Sequence, residues 1–409
     1  MEKKRLIKKI NRQENNIMDC LVEIYDREQI NNIFVVLSFR PKKVVVIYDA
    51  KETNAEDLIL VEKACTLKIK NIKFEFVEID SESIDDINIK CKKIIHDNPD
   101  CYFDITGGNE MFAIGAYLAC TSTFTPIFKI NLSECRLINI YGCKYLENIL
   151  SIPKMSLDVI LATHGASING STHPTPNAKI YNSILTFCDE IFRDVQRWKD
   201  LCFYLQMGTS NFSIEHNNLL FMAPKSISHA GGKVKIENFS LLNLAEELGF
   251  ISNLNIKSKK VSFLFKNNTI KRYMTDYGTW LELYTYISIK KDPMFDDVRL
   301  SVKIDWNTKN QIFSGVINEI DITFFSGIRP VFISCKLSEP SSEALQELSM
   351  YPNYFGGRYS KCILVTLATI KNDRSYIFKR ARDMKINLID GKTIKKGKFI
   401  NNIKEIVSN

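Results

Sequence analysis

The chain has 409 residues, 45% hydrophobic and 25% charged, with a formal net charge of +8, the balance of a globular protein with room for two or three domains. No run of about 18 apolar residues exists, so no helix is expected to span a membrane, and the basic start MEKKRLIKKINRQENN has no apolar core behind it to make a secretory signal. The 11 cysteines and 5 histidines form no CxxC pair and no zinc spacing; Cys120, Cys188 and Cys362 fall in apolar runs as small core residues, which suits a reducing cytoplasm.

Residues 1–150 alternate strands with helical segments. IMDCLVEI, KKVVVIYD and IKFEFVEI read as strands, and REQINNIFVVLSF, AEDLILVEKACTLKI and SESIDDINIKCKKIIHDN read as helices, the last opened by Ser81 or Ser83. CYFDI is a fourth strand, followed by Gly107, Gly108 and a helix from Asn109, and PIFKINL and RLINIYG close the domain. This rhythm predicts a doubly wound, Rossmann-like, mainly parallel sheet, which binds ligands beyond the carboxyl ends of its strands. EIYDREQ, YDAKETN and TGGNE would project there. A glycine pair between strand and helix is either a tight turn or a place where backbone N–H groups approach a phosphate.

Residues 151–270 read as a mostly helical connector. THGASINGSTHPTPN, residues 163–177, is a loop by composition, and KIYNSILTFCDEIFRDVQRWKDLCFYLQM is amphipathic and helical. SLLNLAEELGFISNLNIKSKKVSFLFKN gives a helix and a β-ribbon, a winged-helix-like order. Residues 271–409 read as α-β-β-β-α-β, a C-terminal α/β domain whose first three strands have connections short enough to be antiparallel. Charge divides the chain. Residues 1–150 carry 21 Lys+Arg against 23 Asp+Glu, and residues 151–409 carry 34 against 24. The second part is therefore either a partner of polyanions or a solvated basic surface.

The third region holds the chemistry. In NEIDITFF, Glu319 and Asp321 are two apart on a strand and share a face, as do Ser334 and Lys336 in VFISCKLS. Two carboxylates and a lysine on adjacent strand ends suit a phosphodiesterase that uses Mg²⁺ or Mn²⁺, and Glu282 on the preceding helix could add a further ligand. The plainer reading is a polar solvent face. Against it, Val316, Ile320, Ile322, Val331 and Ile333 mark well-buried strands, where unpaired carboxylates are costly.

DITGGNEMF, together with GTWLELYTY, NEIDI, FISCK and YFGGRYSKCILVT in that order, resembles the CARF-domain ancillary nucleases of type III CRISPR systems. The resemblance implies an N-terminal CARF sensor, residues 1–150, joined through 151–270 to a PD-(D/E)xK restriction-endonuclease-like nuclease, residues 271–409. It implies a homodimer that binds cyclic oligoadenylate, cyclic tetra-adenylate above all, through Tyr25, Asp26, Asp49, Lys51, Thr106, Gly107, Gly108 and Asn109. It also implies a metal-dependent endonuclease, acting on DNA, RNA or both, with Glu319, Asp321 and Glu282 on Mn²⁺ or Mg²⁺ and Lys336 as the motif lysine. Arg358 and Lys361 would contact nucleic acid, Tyr354, Gly356 and Gly357 would lie along its path, and Gln346 and Glu347 either orient water or face solvent. Ser334 departs from the motif, which has an acid there, so Glu319 or Glu282 must supply that carboxylate or the site is weakened.

That departure keeps open a second reading, a CARF-linked nucleic-acid-binding regulator with a degenerate nuclease domain. A metal-independent RNase would need an Arg four to six residues before a His, and His96, His164, His173, His216 and His229 have none. A dinucleotide-binding dehydrogenase would need GxGxxG after the first strand, and TGGNEM follows the fourth.

Overall fold

The computed structural model describes residues 18–212, 218–229, 231–306, 317–355, 357–370 and 376–408; the basic N-terminal segment, His216, Val316 and Gly356 lie outside them. Strands β1 (Cys20–Ile24), β2 (Lys43–Tyr48), β3 (Lys73–Glu78), β4 (Cys101–Asp104), β5 (Ile127–Asn131) and β6 (Arg136–Tyr141) form a sheet in the order β3-β2-β1-β4-β5-β6. All neighbours are parallel except β5 and β6. Helices α1 (Ile30–Phe39) and α2 (Ala55–Thr66) cover one face, and α3 (Ile84–Asp97) and α4 (Glu110–Thr123) the other. Strand β2 shows why: Val44 and Val46 enter the first core and Val45 and Ile47 the second, the period of two that buries both faces. Ser83 opens α3 by accepting from the Asp86 N–H. The order of strands reverses between β1 and β4, which makes their carboxyl ends the switch point of the sheet.

Helix α5 (Leu157–Thr163) is buried at every residue but Asp158. Its Leu157, Val159, Ile160 and Leu161 join a core that also holds Val36 of α1 and Leu58 of α2 from the first domain and Phe332 and Phe355 from the C-terminal one. The two ends of the chain therefore share apolar packing through this helix. Strand β7 (Ser167–Ser171) lies inside the segment whose composition reads as a loop, and it pairs antiparallel with a C-terminal strand. Backbone pairing at a sheet edge recruits SINGS, in which only Ile168 has a strand-forming side chain.

Helices α6 (Tyr181–Arg193) and α7 (Val195–Asn211) follow, then β8 (Leu220–Pro224), the hairpin β9 (Ser226–His229) and β10 (Gly232–Lys235), and α8 (Ser240–Glu247). Strands β11 (Ile251–Ile256) and β12 (Lys260–Phe265) form the expected ribbon behind α8, and β8 joins it as a third strand. Phe187, Phe250 and Phe263 pack these elements into one core with Trp280 of the C-terminal domain.

After α9 (Asn268–Met274), helix α10 (Thr279–Lys290) opens the C-terminal domain. Its sheet runs β17-β16-β15-β14-β13-β7. Strands β13 (Asp296–Asp305), β14 (Ile317–Ser326) and β15 (Arg329–Lys336) are antiparallel, as their short connections predict. β15, β16 (Lys361–Thr366) and β17 (Ile386–Ile389) are parallel, joined by α11 (Ser342–Tyr354) and α12 (Tyr376–Asp383). The architecture is α/β throughout, a doubly wound N-terminal sheet and a mixed C-terminal one. Among the described residues no helix is long and apolar enough to cross a membrane.

Candidate functional site

At the switch point the chain leaves β1 through Tyr25 and Asp26 and leaves β4 through Thr106 to Asn109. Gly107 and Gly108 press against the β1 exit. A Cβ on Gly107 would stand 2.7 Å from Asp26 Cβ, and one on Gly108, whose φ is +80°, 2.3 Å from Ile24 Cγ2. The chain's own packing therefore requires both glycines, before any ligand is considered. The Gly108 N–H donates to Asp26 Oδ2 at 3.3 Å. The Thr106 hydroxyl lies between the Asp104 carboxyl and the Ile130 N–H, from which it accepts at 2.7 Å. Asn109 caps α4 by accepting from the Phe112 N–H at 3.1 Å. Beyond β2, Asp49 accepts from the N–H groups of Ser81 (2.9 Å) and Lys51 (2.7 Å). Burial opposes ionisation of Asp49, but these bonds outweigh it and hold its carboxyl below the usual range. The Lys51 ammonium is 3.4 Å from Asp80, and the Tyr25 hydroxyl accepts from Gln29 Nε2 at 3.4 Å. All eight residues expected around the ligand thus stand at the carboxyl ends of β1, β2 and β4. Beside them a cavity of about 260 Å³ is lined by Tyr25, Arg27, Gln29, Glu52, Thr163 and His164.

Directly beneath, Glu23 and Asp104 are register partners on β1 and β4, 0% and 1% exposed. Burial lifts both carboxyls, Asp104 to about 7 despite the bonds from Thr106, and Glu23 well above its ordinary value with the Asp104 charge adding to the effect. Glu23 Oε2 accepts from Asn32 at 3.4 Å, and Oε1 has no hydrogen-bond partner among the described residues.

The second constellation lies at one edge of the C-terminal sheet. The register Ile322 to Ile333 sets Asp321 beside Ser334. Asp321 Oδ2 accepts from the Cys335 N–H at 2.7 Å and from the Ser334 hydroxyl at 3.3 Å. Lys336 ends β15 and places its charge near Asp321. Glu282 comes in from α10, its Oε2 accepting from the Ser301 hydroxyl at 3.0 Å. Ser301 is fully buried with φ of 49°, a left-handed residue in the middle of β13 that costs about 1–3 kcal/mol. Burial, then the charge of Asp321, pushes the Glu282 carboxyl up to about 8. Burial also raises Asp321, against the Cys335 hydrogen bond and the Lys336 charge. Glu319 shares the strand face of Asp321, adds its charge to both acids, and stands opposite Lys303 on β13. Like-charged carboxyls in a half-buried site form an oxygen-donor set suited to a hard divalent cation. Among the described residues no three or more His, Cys, Asp or Glu side chains close around a metal position. The residues fit an open site, in which one or two carboxylates hold Mg²⁺ and waters and substrate phosphate complete the shell.

Four neighbours of this site were not singled out by the sequence: Ser301, Lys303, Asp276 and His173. Asp276 Oδ1 accepts from the N–H groups of Gly278 (2.9 Å) and Thr279 (3.2 Å) at the start of α10. His173 Nε2 is 3.3 Å from the Thr279 hydroxyl and 4.0 Å from Asp276 Oδ2. His173 follows β7, so the connector contributes to this end of α10. Arg358 and Lys361, expected to contact nucleic acid, are not brought to the carboxylates. In the β15–β16 ladder Lys361 stands opposite Val331 and Lys336 opposite Thr366, a separation of five residues, or about 17 Å along the strand. Arg358, beyond Lys361, is ion-paired to Glu28 of the first domain at 3.2 Å. Gly357 packs on the same Glu28, and Gln346 and Glu347 are exposed on α11.

Residues 267–409 match the family model of the Card1-like endonuclease domain. No curated protein is similar to the chain in sequence. Among solved structures, protein VC1899 from Vibrio cholerae superposes with a TM-score of 0.74 at 16% identity, over 95% of this chain and 98% of that one. Can2 from Sulfobacillus thermosulfidooxidans, solved in complex with cyclic tetra-adenylate, superposes with a TM-score of 0.67 at 15% identity, over 96% of this chain and all of its own. A type III CRISPR defence DNA nuclease activated by cyclic oligoadenylate superposes with a TM-score of 0.53 at 12% identity, over 85% of this chain and 45% of that one. At these identities the likeness is one of fold, and it extends over nearly the whole chain. The C-terminal part is an endonuclease domain of the Card1-like kind.

Proposed function

We propose that this chain is a CARF-domain ancillary nuclease of type III CRISPR systems, a sensor of cyclic tetra-adenylate joined to a metal-dependent endonuclease that the occupied sensor switches on. The observation that carries the reading is the open pair Glu282 and Asp321 beside Lys336, within a Card1-like endonuclease domain. Asp321 and Glu282 would hold Mg²⁺ or Mn²⁺, with Glu319 on the same face, and the cation would supply a polarised water and neutralise charge on the phosphate. Lys336 meets the phosphoryl oxygens with a positive charge at the end of a rigid strand. Ser334, where the motif has an acid, donates to Asp321 and steadies it, while α10 supplies the second carboxylate. This account of Ser334 removes the main support for a regulator with a degenerate nuclease.

At the other end, the amides of Gly107 and Gly108 at the start of α4 can hold a phosphate of the ring without a basic patch. Helix α4 presents Ile114, Tyr117 and Leu118 at 46%, 45% and 43% exposure, an apolar strip that suits a second copy of this chain. A two-fold pair presents the same loop to both sides of a symmetric ring. The test is cleavage of supercoiled plasmid and single-stranded RNA. Cutting of at least one should require both Mg²⁺ or Mn²⁺ and cyclic tetra-adenylate, and should stop with a chelator. Cutting that is indifferent to either addition would contradict the proposal.

A further inference from the structure

The loop that leaves β1 holds the sensor edge and the nuclease domain at once. One carboxylate oxygen of Asp26 accepts from the Gly108 N–H at 3.3 Å, and the other accepts from the Glu28 N–H at 2.7 Å. The Glu28 side chain then crosses to the C-terminal domain, where its Oε2 is 3.2 Å from Arg358 Nε. Arg358 is held in turn by Tyr359: its Nη2 donates to the hydroxyl at 2.9 Å, and its guanidinium lies 5.0 Å from the ring centroid. Gly357, with φ of +50°, lets the loop come this close, since a Cβ there would stand 2.9 Å from Glu28 Oε1. The turn Gly357–Tyr359 leads straight into β16, the parallel neighbour of the strand that carries Ser334 and Lys336.

The Gly108 N–H is the donor an incoming phosphate needs, and a phosphate oxygen and Asp26 compete for it. The carboxylates of Asp26 and Glu28 also repel a polyanion, so competition and repulsion push the loop the same way. We propose that Asp26 and Glu28 form a latch: the activator's phosphate takes the Gly108 N–H from Asp26, the Asp26–Glu28 turn loosens, and Glu28 releases Arg358 and with it the turn before β16. The inference rests on the sensor reading above and names its means of control. The Arg358 side chain is 68% exposed, so the pair is a weak one and biases the switch by a few-fold.

The latch makes a reciprocal demand. If binding must break the pair, removing the pair strengthens binding and activation by one factor. The experiment uses the full chain as wild type, Glu28→Gln, and Arg358→Gln, which breaks the same pair and leaves the Glu28 charge in place. Calorimetry gives the affinity for cyclic tetra-adenylate, and cleavage gives its half-activating concentration. Glu28→Gln should tighten binding about two- to five-fold and lower the half-activating concentration by the same factor. Arg358→Gln should shift both in the same direction by a similar factor, which loss of repulsion at Glu28 alone would not do. Unchanged values in Glu28→Gln, with a wild type that binds and responds, overturn the latch alone. A wild type that does not bind the ring overturns the sensor reading and the latch with it.

Discussion

Each of the two large sheets has a pair of acids at it, Glu23 and Asp104 on neighbouring strands of the first, and Asp321 on β14 of the second with Glu282 brought to it by α10, and the surroundings decide what each pair can do. Glu23 and Asp104 are 0% and 1% exposed, sealed under the Thr106 turn. Glu282 and Asp321 are half-buried, with Lys336 alongside. Burial raises the carboxyls in both places, but only the second pair can meet a cation and a phosphate from solvent. The sealed pair belongs to the frame of the first sheet, and the open pair is the one proposed above as the site. Composition and strand position alone do not separate them, since all four acids lie on or beside buried strands; access does.

The comparison is tested first at the open pair. Asp321→Asn keeps the side chain's size and should lower cleavage at least about a hundredfold, with thermal unfolding near that of the wild type; retained cutting would move the site elsewhere. A second test asks whether the two regions are mechanically one. Leu161 on α5 is fully buried in the core they share, so Leu161→Ala should cost about 2–5 kcal/mol. Denaturant unfolding followed at both ends should shift at both, and a shift confined to one end would mean the shared core does not couple them.

The third test is pH dependence of the sealed pair. The folded Asp104 value of about 7 lies above the ordinary unfolded value near 4. Between these limits the folded chain holds a proton that the unfolded chain has lost. The stabilising contribution is therefore complete below about pH 4 and is lost as pH rises through about 7, at up to about 1.4 kcal/mol per pH unit. Asp104→Asn should flatten that fall in denaturation measurements across the window, and identical slopes would put the titrating group elsewhere. The smallest effect belongs to Ser334→Ala. The Cys335 N–H still holds Asp321 at 2.7 Å, so losing one hydroxyl hydrogen bond should cost less than about tenfold in cleavage. A loss as large as that of Asp321→Asn would show that the hydroxyl does more than steady its neighbour.

Much of this was legible because it is local. The β-branched run Val44–Ile47 announces a strand, Ser81 or Ser83 announces a helix start, and the two-residue spacing of Glu319 and Asp321 fixes a shared face. The α/β class and the order of elements followed from such signals. What the sequence hid is non-local. SINGS is a strand only because β13 offers an edge, and α5 is a central piece of the core although its neighbours in sequence look like a connector. Asp276 and His173 reach α10 through folding of that same segment. Arg358 sits in a basic, glycine-rich stretch that suggests phosphate contacts, and its partner Glu28 lies hundreds of residues away on another domain. The glycine pair reads as either a tight turn or an approach to a phosphate, and the packing it serves against Ile24 and Asp26 is a third demand, visible only once β1 and β4 are side by side.

The central claim is that one edge senses and the other cuts, and a crossed measurement on two variants addresses it most directly. Calorimetric binding of cyclic tetra-adenylate and metal-dependent cleavage would be measured side by side for Gly108→Ala, whose Cβ would collide with Ile24, and for Asp321→Asn. The account predicts that Gly108→Ala loses binding together with the activator-dependent rise in cutting, while Asp321→Asn binds as the wild type does and does not cut. An Asp321→Asn protein that fails to bind, or a Gly108→Ala protein that still responds to the ring, would contradict it.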